Sequence, residues 1–243
     1  MKTVFINGSP KSRFSASNYF LKWQSAFVQG HKIFLKLQTG SDHKTILEQI
    51  IDADVVIFSI PLYVDSLPSH VLTFLLEMEG FCKEHKLNSK IYVIANNGFI
   101  EGSQNAPLFR VMENFCTRSN LRWGGGIGIG GGVMFHALRI VLMIEIGIFF
   151  AHILISGILH ANWASADAVQ NFLFAVLAIS FLHFGAAFYI AKMGLKINAG
   201  HDFGEKYTRI LLPSFLFIPI ADIFFVITSL LKGGLFKGWL QRK

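Results

Sequence analysis

The chain has 243 residues, enough for one large domain or two small ones. Hydrophobic residue types make up 52% of it and charged types 15%, mean hydropathy is +0.48, and 25 residues are Phe; disorder, collagen-like repeats and a coiled-coil rod are excluded. The net charge of +7 comes without a basic stripe interleaved with aromatic residues, so a membrane surface explains the excess better than nucleic acid does.

Two cysteines, Cys82 and Cys116, make no disulfide framework, and a reducing compartment is expected. The charges are unevenly spread. Residues 1–132 carry 13 Lys+Arg and 10 Asp+Glu, whereas residues 133–243 carry 9 and 5, clustered between long apolar runs. Two domains are therefore expected, 1–132 and 133–243, suited to different solvents.

The chain opens on a short apolar run, Lys2–Ile6, cut off by Asn7-Gly8-Ser9-Pro10. This is too short for the core of a signal peptide and reads as a buried strand, leaving the N-terminus in the cytoplasm. Ser15–Val28 has helical periodicity and His31–Leu37 reads as a strand. The pattern repeats: a short helix at Thr45–Ile51, a strand at Asp54–Ser59, a helix at Pro68–His85, a strand at Lys90–Ala95, a helix at Ala106–Ser119 and a strand near Trp123–Ile129. Strands that are apolar throughout belong to a parallel sheet covered on both faces. The first domain is thus predicted to be α/β, a doubly wound five-stranded parallel sheet with its ligand at the carboxyl ends of the strands.

Three loops lie at those ends. The first, Gly8–Ser17, is dense in hydroxyls and feeds a helix N-terminus, where backbone N–H groups and the helix dipole favour a phosphate. An ordinary serine-rich turn with an N-cap is the other reading. It is neither a nucleotide P-loop nor the Gly-x-Gly-x-x-Gly fingerprint. The second loop is Pro61-Leu62-Tyr63-Val64-Asp65-Ser66-Leu67-Pro68, and the third is Asn96-Asn97-Gly98-Phe99.

Gly-Ser-Pro with spaced serines, then Pro-Leu-Tyr-Val-Asp-Ser-Leu-Pro, then a Gly-containing turn resemble the NAD(P)H-dependent FMN reductase branch of the flavodoxin-like proteins, over about residues 1–132. The resemblance implies bound FMN, with NAD(P)H as co-substrate. It gives the FMN phosphate to Ser9, Ser15 and Ser17, with Lys11 or Arg13 neutralising charge. Pro61, Leu62, Tyr63 and Val64 would lie along the ribityl chain and the ring, and Asn96, Asn97, Gly98 and Phe99 would meet the ring's polar edge. A homo-oligomer is also implied, whereas an iron–sulfur cluster is not.

Hydride chemistry of this kind needs orientation and exclusion of water rather than a protein nucleophile, so no catalytic residue and no metal is expected. Asp65, Glu77 and Glu79 read as solvated or capping carboxylates, and both cysteines as buried helix residues. The run Gly124–Gly132 reads as an edge strand bending into the next element and marks the domain boundary.

Beyond Val133, three apolar segments, 140–159, 168–191 and 210–231, are each long enough to cross a hydrocarbon core, which predicts an all-α transmembrane domain. The link after the first has no Lys or Arg, while Lys192, Lys196, Lys206 and Arg209 follow the second; this orients the first link outward and the second inward. The basic tail and Pro213 and Pro219 leave the third segment open between a re-entrant turn and a full span. Glu145 and His152, seven residues apart, share a helix face, and His183 and Asp222 could approach them, as a quinone site, a proton path or polar glue between helices.

The reading is a membrane-anchored FMN-dependent NAD(P)H oxidoreductase that reduces flavin or a quinone-type acceptor, multi-pass in the cell membrane. The rivals are a flavin-binding sensor or assembly subunit without turnover, and a small redox-gated transporter.

Overall fold

The computed structural model describes residues 1–11, 15–63, 66–160 and 165–231. Its first compact unit, Met1–Ile210, holds six strands: β1 (Lys2–Asn7), β2 (His31–Lys36), β3 (Val55–Pro61), β4 (Lys90–Asn96), β5 (Arg122–Gly130) and β6 (Gly204–Arg209). All pair in parallel, in the order β2-β1-β3-β4-β5-β6. The first five stand in the flavodoxin-like order, with its switch point between β1 and β3.

Both faces of the sheet are buried, which is why β3 reads as Val-Val-Ile-Phe-Ser-Ile-Pro without alternation. One face packs Val4, Ile6, Val56, Phe58, Ile91 and Val93 against α2 (His43–Ile50), α3 (Ser69–Glu84) and α4 (Ala106–Arg118). α1 (Ala16–Phe27) covers the other face, with α5 (Gly132–His160) and α6 (Ala166–Asn198) against it.

The sheet has six strands, not five. β6 extends it beyond β5, pairing from Gly125↔Gly204 to Gly130↔Arg209, so the glycine-rich strand is internal rather than an edge. Glycine is needed there for space. A Cβ on Gly128 would lie 2.6 Å from the carbonyl oxygen of Gly102, and one on Gly102 would lie 2.5 Å from that of Gly128. The 3₁₀ turn Gly102–Asn105 thus rests directly on the strand backbone.

The β5–β6 crossover is a long helical hairpin. α5, of 29 residues, departs from the carboxyl end of β5, and α6, of 33 residues, returns to the amino end of the sheet. Phe149 stacks on Phe172 at 4.2 Å between the two helices. The final turns of α6 lie on α1, where Asn198 Nδ2 donates to the Phe27 carbonyl and Asn198 Oδ1 accepts from Gln29 N–H, both at 2.9 Å. Among the described residues, two helices, Gly132–Ile158 and Ala166–Asn198, are long and apolar enough to cross a membrane.

The second compact unit, Leu211–Lys243, contains α7 (Ser214–Leu231), which is shorter and carries Pro219 inside it. The predicted third segment, 210–231, therefore begins at a residue of the sheet unit and continues as this Pro-interrupted helix. The basic tail from Lys232 lies outside the described residues.

Candidate functional site

β1, β3 and β4 all end at one crevice. It is lined by Ser9, Lys11, Ser15, Ala16, Ser17, Pro61, Leu62, Tyr63, Asn96, Asn97, Gly98 and Val133. Ten of these twelve are residues singled out in the sequence, drawn from all three predicted loops. Arg13 and Val64 lie outside the described residues, and Phe99 is exposed and absent from the lining. Ala16 and Val133 escaped sequence reasoning. Ala16 is the first residue of α1 and Val133 the second of α5, and neither side chain carries chemistry.

The serine hydroxyls are all buried and share one feature. Ser9 Oγ accepts from Lys11 N–H at 3.4 Å, Ser15 Oγ accepts from Asn18 N–H at 3.1 Å as the N-cap of α1, and Ser17 Oγ accepts from Asn96 Nδ2 at 2.9 Å. Each hydroxyl therefore uses its oxygen as an acceptor, while its own proton has no recorded acceptor among the described residues. Ser9, Ser15, Ser17 and Lys11 line the crevice together with Ala16 at the N-terminus of α1, where helix N–H groups and the dipole favour negative charge. The complement of that set is an oxyanion.

The rest of the crevice is held rigidly. Asn96 Nδ2 also reaches the Ile60 carbonyl at 3.3 Å, Ser59 Oγ donates to the Ser17 carbonyl at 2.8 Å, and Leu62 N–H donates to the Asn96 carbonyl at 2.8 Å. These bonds tie the first, second and third loops together. His70 Nε2 lies 3.1 Å from the Gly8 carbonyl and braces the first loop from α3.

Tyr63 and Ser66 exchange backbone hydrogen bonds of 3.0 Å, turning the second loop back on itself. The Tyr63 ring is 43% exposed at the rim, and partial burial raises its phenol above the ordinary range, so it stays neutral at physiological pH. Asn97 is the site's orphan. Its Nδ2 donates to the Glu101 carbonyl at 3.1 Å, while its buried Oδ1 has no partner among the described residues. A buried acceptor left bare beside a crevice is open to a donor from a ligand or an ordered water.

Neither cysteine lines the crevice. Burial pushes the Cys82 thiol up to about 11 and the Cys116 thiol up to about 12. At pH 8 the thiolate fraction of Cys82 is then on the order of 100-fold below that of an ordinary cysteine. Dithionitrobenzoate should accordingly leave both thiols unmodified in the native protein over minutes and label both at once in denaturant. Rapid native labelling at Cys82 would contradict that assignment. Among the described residues, no three His, Cys, Asp or Glu side chains gather to hold a metal ion.

The ionisable groups of the hairpin divide. Glu145 and His152 line a second cleft with Ser165, Asp167 and Asn171, and His152 Nε2 lies 3.3 Å from Ser165 Oγ. His183 is apart from them, buried against Phe135 and Trp23, with its Nδ1 2.7 Å from the Ile179 carbonyl. Asp222 belongs to the second unit.

No family model matches the chain, and no curated protein matches it. Solved structures similar to it include a flavodoxin and an NADH:FMN oxidoreductase by their descriptions. The Trp repressor binding protein of Bacillus subtilis is 20% identical over 53% of this chain and 84% of its own, with a TM-score of 0.45. An NADPH-quinone reductase from P. pentosaceus is 13% identical over 74% and 97%, with a TM-score of 0.46. An azoreductase from Bacillus anthracis is 13% identical over 79% and 99%, with a TM-score of 0.41. The chemistry assigned to this chain rests on its own crevice residues.

Proposed function

We propose that the protein is an FMN-dependent NAD(P)H oxidoreductase anchored in a membrane, with a flavin or quinone-type acceptor. The observation that carries this reading is the convergence of three buried serines and the orphaned Asn97 Oδ1 on one crevice at the β1/β3 switch point. The residues present fit FMN. Ser9, Ser15 and Ser17 would hold the phosphate with Lys11 beside it; Pro61, Leu62 and Tyr63 would flank the ribityl chain and ring. Asn97 Oδ1 suits the ring's imide N–H. When bound, FMN supplies two-electron transfer from NAD(P)H to the acceptor. The protein's part is to fix the cofactor's position and to keep water from the ring with Leu62, Tyr63 and Val133.

The hairpin supports anchoring. From Ile140 to Ile158, α5 exposes large apolar side chains on nearly every turn, a pattern suited to lipid and costly in water. Both ends of the hairpin return to the sheet, so two crossings leave the α/β body on one side, in accord with the charge difference between the 160–169 link and Lys192–Arg209. Because α5 starts at the crevice, this arrangement brings the site to the membrane surface, where a lipid-soluble acceptor is concentrated.

Purified in detergent, the protein should be yellow, and anaerobic NADH or NADPH should bleach it. Colour without bleaching by either nucleotide favours the sensor or assembly-subunit reading. A colourless protein that does not take up added FMN overturns both. Recovery of the chain in the supernatant without detergent overturns the anchoring.

A further inference from the structure

The carboxyl end of β6 opens on a further cleft, lined by Glu101, Gly102, Ser103, Tyr207, Thr208 and Arg209. β6 lies beyond residues 1–132, so the resemblance that implies the co-substrate assigns it nothing. Ligands of open α/β sheets sit outside the carboxyl ends of the strands, and this cleft stands on the same rim as the crevice.

The register gives the separation. Asn96 pairs with Ile129 and Ile129 with Thr208, so the end of β6 stands two strand spacings, about 10 Å, from the end of β4. Glu101 joins the two sites. Its carbonyl accepts from Asn97 Nδ2 at 3.1 Å in the crevice wall, and its Oε1 accepts from Arg209 Nη1 at 2.6 Å in the cleft. Exposed Phe99 stands in the chain between Gly98 of the crevice and Glu101 of the cleft.

The cleft has donors to spare. A guanidinium carries five N–H groups, and the bond from Arg209 to Glu101 uses one of them. The Ser103 and Thr208 hydroxyls make no recorded hydrogen bond among the described residues. Tyr207 is occupied outside the cleft, its phenol donating to Glu205 Oε2 at 2.7 Å. The charged acceptor is the Glu101 carboxylate, 53% exposed. A planar cation flanked by hydroxyls suits the oxygens of a phosphate, and a carboxylate at its edge suits a sugar hydroxyl. A nucleotide presents those two groups side by side.

Resting on the flavin reading above, we propose that this cleft seats the pyrophosphate of the nicotinamide co-substrate while its nicotinamide lies at the flavin. Arg209, Ser103 and Thr208 would hold phosphate oxygens, and Glu101 the adjoining ribose. In NADH and NADPH alike a single ribose separates the nicotinamide from the pyrophosphate, which suits two sites that adjoin through one residue. Phe99 would be covered by that ribose.

The test uses the full-length chain in detergent, loaded with FMN. Anaerobic bleaching is followed with NADH, with NADPH and with N-benzyl-dihydronicotinamide, which has the reacting ring but neither ribose nor phosphate. Ser103→Asp puts a carboxylate in the cleft and alters neither member of the Glu101–Arg209 pair; Arg209→Gln removes the cation. Each should raise the half-saturating concentration of NADH and of NADPH at least about tenfold, and Arg209→Lys should recover part of the loss. The bleaching rate at saturation and the response to the benzyl donor should stay within about twofold of the parent, the mark of lost binding rather than lost chemistry. NADH and NADPH kinetics untouched by both variants would overturn the proposal and leave the flavin reading standing. Slowing of all donors alike would make the cleft a mere support of the crevice wall, and would overturn it too. A loss confined to NADPH would put the 2′-phosphate there and overturn the pyrophosphate assignment. A chain that takes up no FMN removes the flavin reading, and this seat with it.

Discussion

Replacing Ser15 by Asp should weaken FMN binding on the order of a thousandfold while leaving the stability of the FMN-free protein unchanged. Ser15 caps α1 in an extended conformation, φ −135° and ψ 149°, through its oxygen and Asn18 N–H. Asp caps a helix as well as Ser does, so the first turn of α1 keeps its bond. The added carboxylate, however, stands where the phosphate would be held. Two like charges about 4 Å apart, near a protein surface at an effective dielectric constant of about 20, repel by about 4 kcal/mol. Titrating the FMN-free variant with FMN by flavin fluorescence reads the affinity, and its melting temperature reads the cap. Ser15→Ala gives the complementary result, costing about 0.5–2 kcal/mol of stability through the lost cap. If Ser15→Asp binds FMN as tightly as the parent does, the phosphate is not in the first loop.

The parts of this site that were legible in the sequence are those where local chemistry and position coincide. Turn formers directly after apolar strands marked the carboxyl ends of β1, β3 and β4, and the hydroxyls before α1 are among the residues that line the crevice there. β6 was hidden for a physical reason. Gly-Glu-Lys-Tyr-Thr-Arg is an edge strand, and its charges face water or pair outward, as Arg209 does with Glu101 at 2.6 Å. In the sequence Lys206 and Arg209 read as part of the inward-facing link between two membrane segments.

The crossover hid β6 further, since two long helices stand where one would close a βαβ unit. Val133 was unreadable because it lines the crevice only through the direction in which α5 leaves β5. The two faces of α6 were likewise merged. An apolar run looks the same whether one face or both are to be covered, and only the placement of α1 against Ile190 and Gly194 separates them.

The glycines of β5 govern whether that geometry survives, and Gly128→Ala should destabilise the protein by about 3 kcal/mol or more, as a forced backbone shift in a packed core does. The added methyl meets the Gly102 carbonyl oxygen at 2.6 Å and Asn105 Cβ at 3.2 Å, and a backbone atom cannot rotate aside as a side-chain tip can. Either the 3₁₀ turn lifts from the strand or β5 shifts in the sheet. For a chain of this size the melting temperature should fall by about 6–12 °C. Because Asn97 N–H bonds to the Ile129 carbonyl at 3.1 Å and Gly132 N–H bonds to the Asn97 carbonyl at 2.8 Å, a shift of β5 also moves the third loop and the root of α5. FMN should therefore bind more weakly even though residue 128 does not touch the crevice. Gly80→Ala is the control. It lies on the exposed side of α3 with nothing within 4 Å of the new Cβ, and should stabilise the protein by about 0.5–1 kcal/mol through better helix propensity. A Gly128→Ala protein that melts with the parent would mean that the turn is not seated on β5, and the inferred reach of a β5 shift to the third loop and the crevice would fall with it.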